Sequence, residues 1–272
     1  MQEVTMKKHL MTCFLLLSVF GIVAVFPLTH AYSMELIFAC EDKQDFPNNM
    51  GNTEQILTEN PGMAIEAVRI LEEKLDVKIL IKRFPWKRCL DQLEKGNLDG
   101  AFLASFKEER KQYGKFPEKD GNIDPSRRFT TTTYTLYKLK GSDVGFDGTN
   151  FINITGKVGA PAGYSIVDDL KKKGLNIDES PSTMNDFLKM IKGRLQAVAA
   201  LELTGDYYLK GDNELNQKIE KVTPAIVNKP YYFMISHQFY GKNPELAEKI
   251  FDTIAVIRED PEFQKKLGNY IK

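Results

Sequence analysis

Short apolar runs alternate with helix-length amphipathic segments along this chain, a rhythm that predicts an α/β fold with parallel strands. Residues 34–39, 77–81 and 101–104 read as strands, each apolar but too short for a helix. Between the first two, Ala64, Ile65, Val68, Leu71 and Leu75 make one stripe suited to packing on a sheet. Between the second and third, a helix starting near Pro85 turns Leu90 and Leu93 inward and stops at Gly96. A polar stretch, 118–128, reads as an exposed loop. The β-prone run from Thr130 to Tyr137 then breaks the rhythm, as suits a strand leaving one lobe for another.

After Lys140, Gly141 and Ser142 a second α/β unit begins, with strands at 157–160, 175–177 and 195–201. Helices are expected at 165–173, from Thr183 or Asn185 onward, and at 203–209, with a short strand at 219–222. The run from Tyr231 to Ile235 looks like a second crossing. Helices opened by Pro244 and Pro261 follow, the first carrying Leu246, Ala247, Ile250, Phe251, Ile254 and Ile257 on one face. The expected fold class is therefore α/β: two lobes with central mixed sheets joined by two crossing hinge strands. Lobe 1 comprises 34–135 plus 232–272, and lobe 2 comprises 136–231. Two strands joining two lobes form a natural hinge with a cleft between them.

Residues 1–33 belong to neither lobe. Lys7 and Lys8 precede an apolar core from Cys13 to Phe26, followed by small residues at Thr29, Ala31 and Ser33. That is the pattern of a secretory signal peptide cleaved after Ala31 or Ser33. An uncleaved anchor fits less well, because the core is short and ends in Pro27. The expected location is periplasmic, in solution, as a monomer. Basic and acidic side chains balance at 37 each, so no overall field favours nucleic acid or an anionic membrane. Cys40 and Cys89 lie outside the leader and near one edge of the predicted sheet. They either bridge, as an oxidising compartment permits, or stay separate buried thiols.

Candidate chemistry gathers at strand ends, where ligands of open α/β sheets bind. Trp86 follows the second strand, and Ser105 and Arg110 follow the third; Phe46 stands on the loop after the first, offering a ring to a ligand or plugging that loop. Trp86 either stacks on a ligand or packs beneath loops. Catalytic sets are scarce. His9 and His30 fall in the leader, His237 has no glycine-flanked nucleophile to serve, and no phosphate loop or dinucleotide fingerprint exists. No cofactor is expected, and a zinc site would need more nitrogen or sulfur ligands.

Residues 69–75, Pro85, Trp86, Arg88, 96–100 and 109–117 resemble the first lobe of periplasmic solute-binding proteins of the amino-acid-binding kind, from ABC uptake systems, which have the type 2 bilobal fold. Residues 156–165 and 190–201 resemble the second lobe, and 229–236 with 244–246 the return crossing and terminal helices. The resemblance implies an extracytoplasmic binder of a small polar solute, carboxylate-bearing and amino-acid-like, serving an ABC permease or a membrane sensor. It implies that Arg110 clamps the carboxylate through its planar fork, and that Tyr164 and Ser165 bring a hydroxyl and helix-terminal amides to the same group. The chain departs from the family at the end of strand 195–201: Leu201 stands where an acidic residue usually holds an ammonium, with Glu202 one position later. Some relatives of the family are dehydratases, so a dehydratase-like lyase and a solute-sensing interaction protein are the alternatives to a transport binder.

Overall fold

The computed structural model describes residues 33–271; the expected signal peptide lies outside the described residues, apart from Ser33. The first unit runs β1 (Met34–Glu41), α1 (Met63–Leu75), β2 (Val77–Phe84), α2 (Trp86–Glu94) and β3 (Gly100–Ser105). A 3-10 turn (Glu108–Gln112) and a two-residue hairpin, β4 (Glu118–Lys119) and β5 (Asn122–Ile123), lead to the long β6 (Thr130–Leu139). The second unit holds a small hairpin, β7 (Gly145–Phe146) and β8 (Phe151–Ile152), then β9 (Lys157–Pro161), α3 (Ser165–Lys172), β10 (Asn176–Ser180), α4 (Thr183–Ile191) and β11 (Ala197–Leu201). It continues through α5 (Glu202–Gly211), α6 (Asn213–Lys218) and β12 (Ile219–Lys221). The chain returns along β13 (Val227–Ile235) to α7 (His237–Lys242), α8 (Pro244–Glu259) and α9 (Pro261–Ile271).

Among the described residues nine strands form one mixed sheet in the order β10-β9-β11-β6-β13-β3-β1-β2, with β12 beside β6. Strands β2, β1 and β3 pair in parallel at one end, as do β10, β9 and β11 at the other. The two long strands tie these groups together. Tyr134–Lys138 of β6 pair antiparallel with β11, Tyr231–Ile235 of β13 pair with β3, and the remaining ends, Thr130–Tyr134 and Val227–Tyr231, pair with each other. The carboxyl ends of β1, β3, β9 and β11 therefore approach one middle region.

Each group has apolar cores on both faces. Alternation along β1 sends Leu36, Phe38 and Cys40 to the face covered by α1 and α8, and Ala39 to the face covered by α2. Cys89 of α2 belongs to that second face. The two cysteines are free: Cys89 Sγ lies 3.3 Å from the Cys40 carbonyl oxygen, whereas Cys40 Sγ lies 3.8 Å from Asn49 Oδ1. A bridge between Cys40 and Cys89 is thus not made, because the Cys40 side chain points into the core on one face of the sheet and Cys89, on α2, lies on the other.

In the second group, Tyr137 of β6 stands against α5, where its single hydroxyl proton has two acceptors in reach, the Glu202 carbonyl and Asp206 Oδ1, each at 2.9 Å. The approach is so close that a methyl group on Gly205 would sit 2.4 Å from the Tyr137 hydroxyl oxygen. Gly205→Ala is expected to lower stability by roughly 1–3 kcal/mol through overpacking, seen as an earlier thermal unfolding transition; an unchanged midpoint would show that α5 can shift freely. Of the described helices, none is long and apolar enough to cross a membrane.

Candidate functional site

The middle region encloses a cavity of about 20 Å³, room for roughly one water molecule. Arg110 reaches it from the 3-10 turn after β3, with its residue only 5% exposed. Its Nη1 donates to the Ser105 carbonyl at 2.7 Å and to Ser105 Oγ at 2.8 Å, and its Nη2 donates to the Gly163 carbonyl of the second unit at 2.9 Å. The guanidinium lies 5.6 Å from the centre of the Trp86 ring, in cation–π range. Burial lowers its pKa, yet an arginine stays charged. Its bonded neighbours are therefore all neutral oxygens.

Ser105 Oγ also donates to Ser165 Oγ at 2.8 Å, joining the end of β3 to the first residue of α3. Strand β3 is bent here: Leu103, another residue of the cavity wall, has φ 65° and is skipped in the β13 register between Tyr232 and Phe233. An extra residue of this kind re-aims side chains at a strand end. Tyr231 and Tyr134, one from each crossing strand, meet hydroxyl to hydroxyl at 2.5 Å.

Two carboxyl groups complete the wall. Glu41, the last residue of β1, accepts a hydrogen bond from the Tyr164 hydroxyl across the cavity, and burial raises its pKa to about 8. Asp45 is 5% exposed, accepts from Thr204 Oγ1 at 3.0 Å, and is raised by burial to about 6. Their loop is fixed by Asn49, whose amide donates to the Glu41 and Lys43 carbonyls at 2.7 and 3.0 Å. It is also fixed by Gly62, which has φ 109° and so little room that a Cβ would lie 2.4 Å from the Asn48 carbonyl oxygen.

Arg110, Trp86, Ser105, Tyr164 and Ser165 thus line one cavity. Phe46 and Glu202 do not line it. Phe46 plugs its loop instead, stacked on Tyr207 with ring centroids 4.6 Å apart, and Glu202 turns away to Lys221, 2.7 Å from its Nζ. Leu201 borders the cavity in its place. The sequence reading missed Glu41, Asp45, Asn49 and Tyr231. Glu41 carried one signal, its place at the carboxyl end of an apolar strand. His237 is remote from the cavity, its Nε2 2.7 Å from the Lys111 carbonyl oxygen. Among the described residues no group of three or more His, Cys, Asp or Glu is arranged to hold a metal ion.

Ion pairs join the two units beside the cavity: Lys107 with Asp168, and Lys87 with Glu179 at 3.0 Å. Lys229 of β13 pairs with Asp169 of α3.

No family model matches the sequence, and no curated protein does. Solved structures match in fold. A histidine kinase sensor domain with similarity to periplasmic binding proteins superimposes with a TM-score of 0.70 at 14% identity, covering 88% of this chain and 96% of that one. An arginine third transport system periplasmic binding protein from Legionella pneumophila gives 0.68 at 13%, covering 88% and 100%. An ancestral arginine-binding protein bound to glutamine gives 0.65 at 20%, covering 87% and 97%. The mixed sheet, its two crossing strands and these superpositions agree: the chain has the fold of type 2 periplasmic solute-binding proteins.

Proposed function

We propose that this chain captures a small carboxylate-bearing solute, amino-acid-like in size, outside the cytoplasm and presents it to an ABC permease. The observation that carries the reading is Arg110: a buried guanidinium, bonded only to neutral oxygens, on a cavity walled by both units. A carboxylate is the natural partner of such a fork. The lobes would be 34–135 with 232–272, and 136–231, hinged on β6 and β13. The cavity is too small for a solute of several heavy atoms, so entry requires the lobes to part. That motion breaks Tyr164–Glu41, Lys107–Asp168 and Lys87–Glu179, and a solute that touches both lobes restores closure. Native mass spectrometry of protein purified without refolding tests the reading. A released small carboxylate supports it, and a released neutral or purely cationic molecule overturns it.

Trp86, 5% exposed beside Arg110, gives an optical check. Its emission is expected to change in intensity or wavelength on solute addition, since opening and closing alter its contact with Gly163 and Tyr164 of the other lobe; spectral silence with a solute shown to bind would remove Trp86 from the site. The same capture could feed a membrane sensor, a reading favoured by the likeness to a kinase sensor domain. A permease and ATPase encoded beside this gene would support transport, and a kinase would support sensing. A binder forms a stoichiometric complex without product. Product from a bound acid would instead make the chain a dehydratase-like lyase.

A further inference from the structure

Apart from tyrosines, three ionisable side chains line the central cavity: Arg110, Glu41 and Asp45. Neither acid is bonded to the arginine. Arg110 is occupied by Ser105 and Gly163, Glu41 by Tyr164, and Asp45 by Thr204. Among the described residues no lysine or arginine forms an ion pair with either carboxyl; the nearest lysine, Lys43, pairs with Asp42 at 3.2 Å. Asp169, a carboxylate in the electrostatic surroundings of Arg110, is paired with Lys229. The cavity therefore has a cationic pole beneath β3 and a separate acidic pole on the loop leaving β1.

Among the described residues, the second unit lines the cavity with no acid: Asp169, which lies near Arg110, is off the cavity wall and held by Lys229. At the end of β11 the wall is Leu201, 4% exposed, and Glu202 is held by Lys221 at 2.7 Å. A positive charge on the carbon beside a carboxylate bound at Arg110 would meet no carboxylate of that unit on the cavity wall.

We infer that the solute carries its positive charge at the end remote from its carboxylate, where Glu41 and Asp45 receive it, making it an ω-amino acid or a similarly extended zwitterion. The inference rests on the proposed capture of a carboxylate at Arg110. Facing Glu41 are Asp42, Lys43 and Asp45 on its own loop and Tyr164 just before α3; Arg83 of β2 bonds the Glu41 carbonyl at 3.1 Å, and Tyr208 of α5 faces both acids. No fixed cation of this set bonds the carboxyl. An arriving ammonium favours the ionised form, so near neutral pH the Glu41 carboxyl passes its proton to the buffer as the solute binds.

Isothermal calorimetry on the purified chain tests this with three matched series of four to six carbons: ω-amino acids such as 4-aminobutanoate, their 2-amino isomers, and the unsubstituted acids. At least one ω-amino acid is expected to bind tenfold or more tightly than both counterparts. Heats measured in buffers of different ionisation enthalpy should show proton release near pH 7 that fades by pH 9. Glu41→Gln should bring the affinity ratio toward one and abolish the release; if that variant does not fold by circular dichroism, Asp45→Asn should lower the same affinity ratio at least threefold while the release from Glu41 persists, and an unchanged ratio overturns the inference. Equal binding of the 2-amino isomers or of the unsubstituted acids overturns the inference and leaves carboxylate capture standing. Binding by none of the three series overturns both.

Discussion

Replacing Arg110 with alanine is expected to weaken binding of a carboxylate solute by roughly 2–5 kcal/mol, which is about 30-fold to several thousand-fold. The size follows from burial. With 5% exposure and acceptors on both units, the guanidinium meets a carboxylate where water cannot replace it. The fold should survive the change, because two effects oppose one another. Truncation leaves the Ser105 and Gly163 oxygens without their donor, at about 1–3 kcal/mol, while relieving the desolvation of a buried charge, which amounts to several kcal/mol. Arg110→Lys is the useful companion, since an ammonium keeps the charge but lacks the planar fork that spans Ser105 and Gly163. Calorimetry should rank wild type above lysine and lysine above alanine. Unchanged affinity in the alanine variant would dismiss Arg110 as the anionic anchor.

Periodicity alone located β1, α1, β2, α2 and β3, because each buries an apolar face whose spacing is set by its own geometry. Arg110 was legible for a related reason: it follows a strand whose carboxyl end must face the region where sheets bind ligands. Glu41 was harder. The apolar run of β1 ends at Ala39, yet pairing with β2 continues to Glu41 opposite Phe84, so the acid rides on backbone hydrogen bonds that hydrophobicity does not report. Asp45 lies among polar neighbours, and only the close approach of Gly62 to Asn48 selects which of them turns inward. The state of Cys40 and Cys89 was decided by topology. With strand order β2-β1-β3, the chain steps one way from β1 to β2 and the other way from β2 to β3. Right-handed crossovers then place α1 and α2 on opposite faces. Cys89 comes with α2, while the side chain of Cys40 joins the α1 face. Helix α7 and the hairpin β7–β8 escaped notice because six-residue and two-residue elements are too short to show a period.

The ligand-free protein is expected to lose stability as pH rises from 4 to 7, and Asp186 is the residue to change. It sits on α4 with 0% exposure, and neither carboxyl oxygen has a hydrogen-bond partner among the described residues. The nearby Ser180 hydroxyl donates to the Ser182 carbonyl at 3.0 Å instead. Burial raises the Asp186 pKa from 3.8 to about 7. Between those values the unfolded chain has released its proton and the folded chain has kept it, so stability falls by about 1.4 kcal/mol per pH unit, on the order of 3–4 kcal/mol over the window. Glu41 and Asp45, raised to about 8 and about 6, push in the same direction, but their acidity would serve the site, whereas Asp186 lies in the second unit beneath β9 and β11, outside the cavity wall. Asparagine has the same shape and cannot ionise. Asp186→Asn should therefore gain on wild type by about 2–3 kcal/mol between pH 5 and pH 7, measured by denaturant unfolding at each pH. Parallel pH profiles would mean that Asp186 ionises in the folded protein as readily as in the unfolded chain. In that event its carboxylate must be hydrated or paired in solution, and the tight packing of α4 against the sheet could not hold there.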